Sequence, residues 1–370
     1  GSLDSWSINV PSRVNESVLS LHLFIAVAAL AMASCSKDEQ TAVNRGAAID
    51  FRGAMATRAT ETTTANLNDI FVTALDKNNA NFFTDEQFTK DGGGFFQSTT
   101  SYYWPNDDSE LKFFAYAPSS SDLGGTVTIT SATKTLADFS PKTTIADQKD
   151  FVSCKATGKK SVNESAGVAL TFKHQLSQIE IKAKNDQDAY RYKVVAVRIG
   201  QPVSKGTFDF GTENWNLEMD KVNYTVPDFG EITLNGTPES LMGTGGSAML
   251  IPQQLTAWDA AGDKPNANKG AYLAVKLQIT TKAGARVYPA EVVGDYDWAA
   301  VPVNTNWEAG KKYVYTLDFT SGAGKVDPEK PNPSDPTDPF KPGDDILGNN
   351  AIKFTVQVTE WVEETKDVDM

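Results

Sequence analysis

The sequence has very few of the side chains that carry nucleophilic or metal chemistry. Its 370 residues include two cysteines, Cys35 and Cys154, and two histidines, His22 and His174. At these positions they provide no disulfide framework, no zinc site and no Cys-His pair at a useful spacing. We therefore predict no catalytic residues, no metal site and no cofactor, and we predict that the protein is not an enzyme.

Positive charge is also scarce. Lys and Arg number 34 against 47 Asp and Glu, which gives a net charge of −13 and a pI near 4.7. Nucleic acid is bound through clustered Lys and Arg, because its phosphates must be neutralised. No basic stripe runs along this sequence, so we predict no nucleic-acid partner.

The chain has one long apolar run, at residues 18–33. It is shorter than the ~20 residues that a membrane-spanning helix needs, and it ends in small residues, as a signal peptide does. It closes on Met32-Ala33-Ser34-Cys35, which resembles a lipobox, where the cysteine is lipidated and becomes the new N-terminus. We therefore assign residues 1–34 to a leader and predict lipidation at Cys35. Residues 1–16, which we attribute to cloning or to a misplaced start, are set aside from the fold.

Strand patterns fill the rest of the chain, and no stretch shows a sustained helical period of 3.6 residues. The predicted strands are rich in β-branched and aromatic residues and are separated by Gly-, Pro- and Asn-rich turns. They lie at residues 48–51, 70–75, 101–104, 111–117, 126–129, 151–152, 168–172, 179–183, 193–199, 206–210, 248–251, 272–279 and 313–319. The alternation is interrupted at residues 174–177, where we place a junction. The chain is therefore predicted to be all-β, with two β-sandwich domains in tandem.

The C-terminal segment has the pattern of one more strand. Ile352, Phe354, Val356 and Val358 alternate with polar residues, so their side chains share one face. Residues 326–342, which precede this strand, contain six prolines, and an extended polyproline segment of that length spans about 50 Å. The strand either adds to a sheet of another molecule or returns as an edge strand of its own domain. The long, stiff spacer favours the first alternative.

Several short motifs, in their order along the chain, resemble the fimbrillins, the type V pilus subunits of Bacteroidetes. These motifs are Thr57-Arg58-Ala59-Thr60, Tyr103-Trp104-Pro105, Phe113-Phe114-Ala115-Tyr116-Ala117-Pro118, Gln148-Lys149-Asp150-Phe151, Leu170-Thr171-Phe172-Lys173-His174-Gln175-Leu176-Ser177, Met249-Leu250-Ile251-Pro252-Gln253 and Trp307-Glu308-Ala309-Gly310-Lys311-Lys312-Tyr313. The resemblance covers nearly the whole chain after the leader.

The resemblance implies an all-β fold of two transthyretin-like β-sandwich domains in tandem, followed by a donor strand on a Pro-rich tether. It also implies export through the periplasm as an outer-membrane lipoprotein. The domain boundaries that follow are 35–58 for a propeptide that contains the first strand, 59–174 for the N-terminal sandwich, 175–321 for the C-terminal sandwich, 322–349 for the Pro-rich linker and 350–370 for the donor strand.

An arginine-specific protease is a further implied partner, whose cut removes the first strand and opens a groove. The bond between Arg58 and Ala59 is the first choice for this cut, and Arg52 and Arg45 are the alternatives. In the uncut chain, we expect the first strand to remain in place.

The groove would then receive the C-terminal strand of a neighbouring pilin subunit. Its donor side chains would be Ile352, Phe354, Val356 and Val358, and Trp361, which is out of phase with them, joins if a bulge shifts the register. Such a contact does not close on itself and so builds a head-to-tail homopolymer or a mixed fibre.

We therefore predict a shaft pilin of a cell-surface fimbrium that supports adhesion to a host surface ligand. The alternative is a surface-anchored lipoprotein adhesin or tip subunit that binds a host glycan or protein and keeps its lipid at Cys35.

Overall fold

The computed structural model describes residues 47–54, 66–261, 270–348 and 352–361. Within these ranges the regular structure is almost entirely β-strand, as predicted, with helical turns at Ser120–Leu123, Lys160–Asn163, Ile145–Asp147 and Gly243–Gly245. Among the residues described, no helix has the length and apolar character required to cross a membrane.

The first half of the chain builds a sheet that closes on itself. Its strands, with two that belong to a second sheet, are β1 (Phe51–Ala54), β2 (Asp69–Leu75), β3 (Asn81–Lys90), β4 (Phe96–Gln97), β5 (Leu111–Ala117), β6 (Thr126–Ile129), β7 (Lys134–Phe139), β8 (Val152–Gly158), β9 (Val168–Thr171) and β10 (Lys173–His174). The hydrogen-bonded order is β10-β8-β5-β2-β3-β4-β1-β9. Because only Phe172 separates β9 from β10, the two ends of this sheet are consecutive pieces of chain.

We call this closed sheet the N-terminal barrel. Its interior is filled by apolar side chains from every part of the sheet, including Phe51, Phe88, Phe113 and Leu170. The predicted sandwich is thus one continuous sheet, because the break at Phe172 lets the chain pair with β1 on one side and with β8 on the other.

The second half builds two sheets that face each other. Its strands are β11 (Ser177–Lys184), β12 (Tyr190–Gly200), β13 (Gly206–Asp209), β14 (Asn214–Leu217), β15 (Tyr224–Val226), β16 (Ile232–Thr233), β17 (Glu239–Ser240), β18 (Ala248–Leu250), β19 (Gln253–Gln254), β20 (Tyr272–Thr281), β21 (Arg286–Tyr288), β22 (Asp297–Pro302), β23 (Asn306–Trp307), β24 (Lys311–Asp318), β25 (Lys325–Val326) and β26 (Lys353–Glu360). One sheet has the order β17-β11-β24-β26 and the other β15-β12-β20-β22-β25. Alternate residues of both sheets meet in one core, and we call this unit the C-terminal sandwich.

A four-stranded sheet joins the two halves. Its order is β14-β13-β7-β6, so that one hairpin comes from each half of the chain. Beneath it lies a separate apolar cluster that includes Phe151, Leu176, Phe208 and Met249. The barrel and the sandwich are therefore connected by a packed interface as well as by the covalent chain.

The Pro-rich linker is folded against the C-terminal sandwich, and the expectation of an extended tether is wrong for residues 322–348. Lys325 and Asp345 form an antiparallel bridge, and the N–H of Val326 donates to the carbonyl oxygen of Asp344 at 2.8 Å. The prolines therefore lie in a loop whose two ends meet. We call residues 327–343 the Pro-rich loop. A spacer closed in this way does not carry the following strand about 50 Å from its own domain.

Candidate functional site: the two terminal strands

β1 lies inside the N-terminal barrel between two other strands. It pairs antiparallel with β4, where Phe51 is opposite Phe96. It pairs parallel with β9 over its whole length, from Phe51 opposite Val168 to Ala54 opposite Thr171. β1 thus closes the sheet between β4 and β9.

The inward side chains of the first strand are completely enclosed. Ile49 is 2% exposed and Phe51 is 0% exposed. The Phe51 ring makes edge-to-face contacts with Phe88 and Phe113, at centroid distances of 4.8 and 5.0 Å, a geometry that aromatic pairs favour. At Gly53 the next inward position holds no side chain, and the ring of Phe172 lies 3.0 Å from where a Cβ would be. The groove therefore has two large pockets followed by a narrow one.

Arg52 points away from this core but is also buried. Its guanidinium carbon lies 3.1 Å from the centroid of the Phe95 ring, a cation–π contact, and the residue is 5% exposed. Its backbone is held in the ladder with Ala169. A protease must bind its substrate as an accessible, extended segment, so the folded chain does not offer the Arg52-Gly53 bond.

The other residues predicted for processing lie outside the described residues. They are the lipidation candidate Cys35, the first-choice cleavage pair Arg58 and Ala59, and the alternative Arg45.

The C-terminal strand, β26, lies at the edge of its own C-terminal sandwich. It pairs antiparallel with β24 in a regular register, with Phe354 opposite Leu317 and Val358 opposite Tyr313. The second alternative left open by the sequence, an edge strand of its own domain, describes this arrangement. Among the strands that the structure describes, β26 has a single neighbour, and its other edge is the end of the sheet.

The apolar face of β26 is only partly covered. Ile352, just before the strand, is 4% exposed, but Phe354 and Val356 are half-buried and Val358 is 49% exposed. The ring centroid of Phe354 lies 6.2 Å from that of Tyr315 in the neighbouring strand. All the predicted donor side chains except Trp361 therefore share one face, on which Phe354 and Val356 pack partly against the core of the C-terminal sandwich and Val358 is the most exposed.

Trp361 lies on the opposite face, since the ladder between β24 and β26 contains no bulge. It is 6% exposed and belongs to the cluster between the two halves of the molecule. Its ring stacks on the imidazole of His174 at 4.1 Å, and Nδ1 of His174 lies 2.9 Å from a carboxylate oxygen of Asp150. The end of the C-terminal strand is thereby fixed to the last strand of the barrel.

The Pro-rich loop is held by a group of buried and half-buried polar residues that we call the clasp: Arg198, Tyr272, Asp327 and Glu329. Arg198 Nη1 lies 3.1 Å from Asp327 Oδ1, and the Tyr272 hydroxyl donates to Glu329 Oε2 at 2.7 Å. Burial opposes the charge of Arg198, but Asp327, Tyr272 and Glu329 outweigh it and raise the pKa of the guanidinium. Conversely, burial raises the pKa of the Asp327 carboxyl, although Arg198 offsets part of the effect.

Sequence reasoning missed the clasp because its members are far apart in the chain, with a separation of 129 residues between Arg198 and Asp327. The one available signal was Arg198 itself, which is the charged residue within the otherwise apolar second half of β12, residues 194–200. A buried cation in a strand needs a buried acidic partner, and the two acids near the first proline of the Pro-rich loop were candidates.

Comparison with known proteins agrees with this architecture. Residues 57–361 match the sequence model of a family described as fimbrillin-like. Fimbrium subunit Fim1C of Phocaeicola vulgatus is 26% identical over 365 residues, an alignment that covers 82% of this chain and 93% of that protein. The crystal structure of a fimbrial protein from Bacteroides vulgatus is similar in fold, with a TM-score of 0.57 and 20% identity over 85% of this chain and 99% of that one. Because the match to the family extends over most of the sequence, the chain belongs to the fimbrillin-like family.

Proposed function

We propose that this protein is a fimbrial shaft subunit that polymerises by donor-strand exchange after an arginine-directed cut. The observation that carries the proposal is the contrast between the terminal strands. β1 is fully enclosed and closes the barrel, whereas β26 lies at an open edge with a half-covered apolar face. A chain built in this way can lose one strand and supply another. The name of the relative from Phocaeicola vulgatus, a fimbrium subunit, supports the same function.

The position of β1 favours Arg58 as the cleavage site. A cut after Arg58 would release the whole of β1, which ends at Ala54. A cut after Arg45 would leave the strand attached, and a cut after Arg52 would divide it and requires a buried bond to be exposed. Among the three arginines, Arg58 is therefore the one whose cleavage opens the complete groove.

Loss of β1 would leave an apolar groove between β4 and β9. The aromatic rings that now surround Phe51 would face water, together with the apolar side chains of β9. Covering each large apolar side chain is worth about 1.5–3 kcal/mol, so the opened barrel has a strong tendency to bind another strand. Unpaired backbone N–H and C=O groups on both sides of the groove also favour the binding of another strand.

The C-terminal strand of a second subunit would fill this groove. Each subunit then accepts at one end and donates at the other, and such a heterologous contact propagates as a filament. Lipidation at Cys35 would tether the uncut chain to the outer membrane, and the cut would release it from that anchor. The cell-surface fimbrium formed in this way would present the subunits for adhesion to a host ligand.

The proposal is tested by size-exclusion chromatography of three forms of the chain after the leader is removed. The uncut chain is expected to elute as a monomer, and the chain that begins at Ala59 as polymers. Deletion of residues 352–370 from the cut chain is expected to abolish the polymers and to leave the two folded halves intact by circular dichroism. If cut and uncut chains elute alike, donor-strand exchange is wrong, and the surface-anchored adhesin becomes the better account.

A further inference from the structure

The two terminal strands carry the same short sequence. Ala48-Ile49-Asp50-Phe51 leads into β1, and Ala351-Ile352-Lys353-Phe354 leads into β26. Three of the four residues are identical, and the difference lies at the position between the two large apolar side chains. We infer that β26 is a copy of β1 that enters the groove of the next subunit in one register, with Ile352 in the pocket of Ile49 and Phe354 in the pocket of Phe51. This inference rests on the proposed function.

The register follows from the pairing of β1. In the uncut chain Phe51 is opposite Val168, and Arg52 is opposite Ala169, in a parallel ladder with β9. The copy would place Phe354 opposite Val168 of the next subunit, and Thr355 opposite its Ala169. It would also run parallel to β9, as β1 does.

The pocket of Phe51 fits only one of the apolar side chains of the donor by size. The space between Phe88 and Phe113 now holds the ring of Phe51, which is 0% exposed. Phe354 can fill that space completely, whereas Val356 or Val358 would leave a cavity, and cavities cost stability in proportion to their volume. In its own sheet the Phe354 ring is half-buried, so entry into this pocket also covers surface that the edge position leaves in water.

The backbone offers matching partners in the same register. The N–H of Ile49 donates to the carbonyl oxygen of Tyr102 at 2.7 Å, and the N–H of Val168 donates to the carbonyl oxygen of Asp50 at 3.1 Å. Ile352 and Lys353 have the same groups at the same spacing. A shift by one residue would turn the apolar face away from the core, and a shift by two would bring Phe354 to the place of Gly53 or of Ile49.

The narrow position of the groove, at Gly53, limits which donor side chain can be placed there. Val356 would replace Gly53, where the ring edges of Phe172 and Phe96 lie 3.0 and 3.6 Å from an added Cβ. Both neighbours are side-chain ring edges, which can move by a few tenths of an ångström. Phe354 at the same place would need far more space. The position of Gly53 therefore excludes the register in which Phe354, rather than Val356, replaces Gly53.

Cysteine cross-linking tests the register in the chain that begins at Ala59. Ala169→Cys is combined with Thr355→Cys, and the matched controls combine Ala169→Cys with Lys353→Cys or with Gln357→Cys. Ala169 is exposed. Residues paired across neighbouring strands lie within reach of a disulfide. A slip of two residues shifts the strands by about 6.5 Å along each other and moves the two cysteines out of reach. The native Cys154 is buried, and burial raises the pKa of its thiol, so it does not compete.

We expect a ladder of disulfide-linked oligomers on a non-reducing gel for the Thr355→Cys pair and little or none for the controls. Polymers that cross-link through Lys353→Cys or Gln357→Cys, or through none of the pairs, would overturn the register but not donor-strand exchange. If none of the cut chains polymerises, including the one without added cysteines, the proposed function itself fails. The uncut Ala169→Cys/Thr355→Cys chain should give no ladder, because β1 occupies the groove.

Discussion

Among the strands that the structure describes, the first and the last have nearly the same sequence at their start but are held in different ways. β1 has neighbours on both sides and closes a barrel, whereas β26 has one neighbour and ends a sheet. Phe51 and Phe354 occupy corresponding places in the two strands, yet Phe51 is enclosed by aromatic rings and Phe354 is half-buried. The difference shows that burial here depends on the number of neighbouring strands more than on the strand's own residues.

The two strands also differ in where they are fixed. β1 is held along its whole length by the ladder with β9 and, on its other side, by the pair of Phe51 with Phe96 in β4. β26 is held by one ladder, with β24. Its two flanking residues are buried, Ile352 against Gly324 and Trp361 on His174, while Phe354 and Val356 between them are only partly covered by the core. Release of β26 therefore requires the loss of one ladder and of these two buried contacts, whereas release of β1 requires the loss of pairing on both of its sides.

The largest effect should come from removing the two equivalent aromatic rings. Phe51→Ala should lower the free energy of unfolding of the barrel by about 3–5 kcal/mol, the range for a fully buried ring. Phe354→Ala should cost the sandwich about half as much, because its ring is already partly in water. Hydrogen exchange measured by mass spectrometry reports the stability of the barrel and of the sandwich separately. This is needed because the two halves do not have to unfold in one step.

Phe82→Ala is the matched control for this pair, since Phe82 is 37% exposed, and it should change stability by less than about 0.5 kcal/mol. Equal losses for Phe51→Ala and Phe354→Ala would mean that Phe354 is enclosed as fully as Phe51, and would contradict the open edge of β26.

The sequence was sufficient to predict the all-β class and the positions of the most regular strands. β24 is the clearest example, with buried Tyr313, Tyr315 and Leu317 alternating with half-buried residues. A strand with one face in a core must alternate, so its sequence carries the signal. The alternation of β26 was equally clear, but alternation does not reveal which sheet a strand joins.

Two examples show how strand predictions failed for opposite reasons. β3 (Asn81–Lys90) was missed because eight of its ten residues are not buried and most of them are polar. Residues 101–104 were predicted as a strand from their aromatic content, but they form no ladder, and Trp104 is buried in the barrel core from an irregular segment. In both cases the packing of the rest of the chain decided the local structure.

The Pro-rich loop shows what proline content does and does not determine. Proline removes backbone donors and so prevents a continuous ladder, but it does not prevent a segment from folding against its neighbour. The loop is held by side chains, including Lys330, which donates to Asp338 at 2.7 Å, and Phe340, whose ring lies 4.9 Å from that of Tyr288. These contacts could not be read from local composition.

The next largest effect concerns the clasp, which should stabilise the attachment of β26 but not that of β1. Arg198→Met would leave Asp327 and Glu329 without their cation, and we expect a loss of about 3 kcal/mol, the lower end of the range for a broken buried pair. Hydrogen exchange should become faster in the Pro-rich loop and β26 and remain unchanged in β1. Lys282→Met is the control, because its partner Asp188 is exposed, and it should have no measurable effect.

The loss in the free energy of unfolding caused by Arg198→Met should be smaller at low pH than at neutral pH. Burial already raises the pKa of Asp327 above its ordinary value of 3.8, and removal of the cation would raise it further. An acid whose pKa is raised in the folded state contributes stability at low pH that is lost as the pH rises. The deficit should therefore shrink as the pH falls toward 4, and a deficit that grows there would show that Asp327 is not the group left unpaired.

A smaller effect is expected at the end of β26. Trp361→Leu keeps an apolar side chain but removes the stacking on His174, and aromatic stacking is worth about 1 kcal/mol. Amides of β26 should exchange several-fold faster, while those of β1 do not change. In the cut chain this variant should polymerise faster, because β26 leaves its own sheet more easily, whereas Phe354→Ala should give less stable polymers. Thr359→Ala, at an exposed position, controls for changes in the ladder itself.

The smallest effect is expected at Gly53, the narrow position of the groove in β1. In the uncut chain Gly53→Ala should change the stability of the barrel by less than about 1 kcal/mol. The crowding against the ring edges of Phe172 and Phe96 is balanced by the reduced freedom of the unfolded chain.

Gly158→Ala is the matched control within the same barrel, measured by the same hydrogen exchange. An added Cβ there would meet Asn163 and Trp104 at 2.9 Å and Val168 at 3.1 Å, so it is crowded on several sides and should cost about 1–3 kcal/mol. If Gly53→Ala costs as much as Gly158→Ala, the narrow position cannot accept Val356. The copy of β1 would then have to enter the groove in another register.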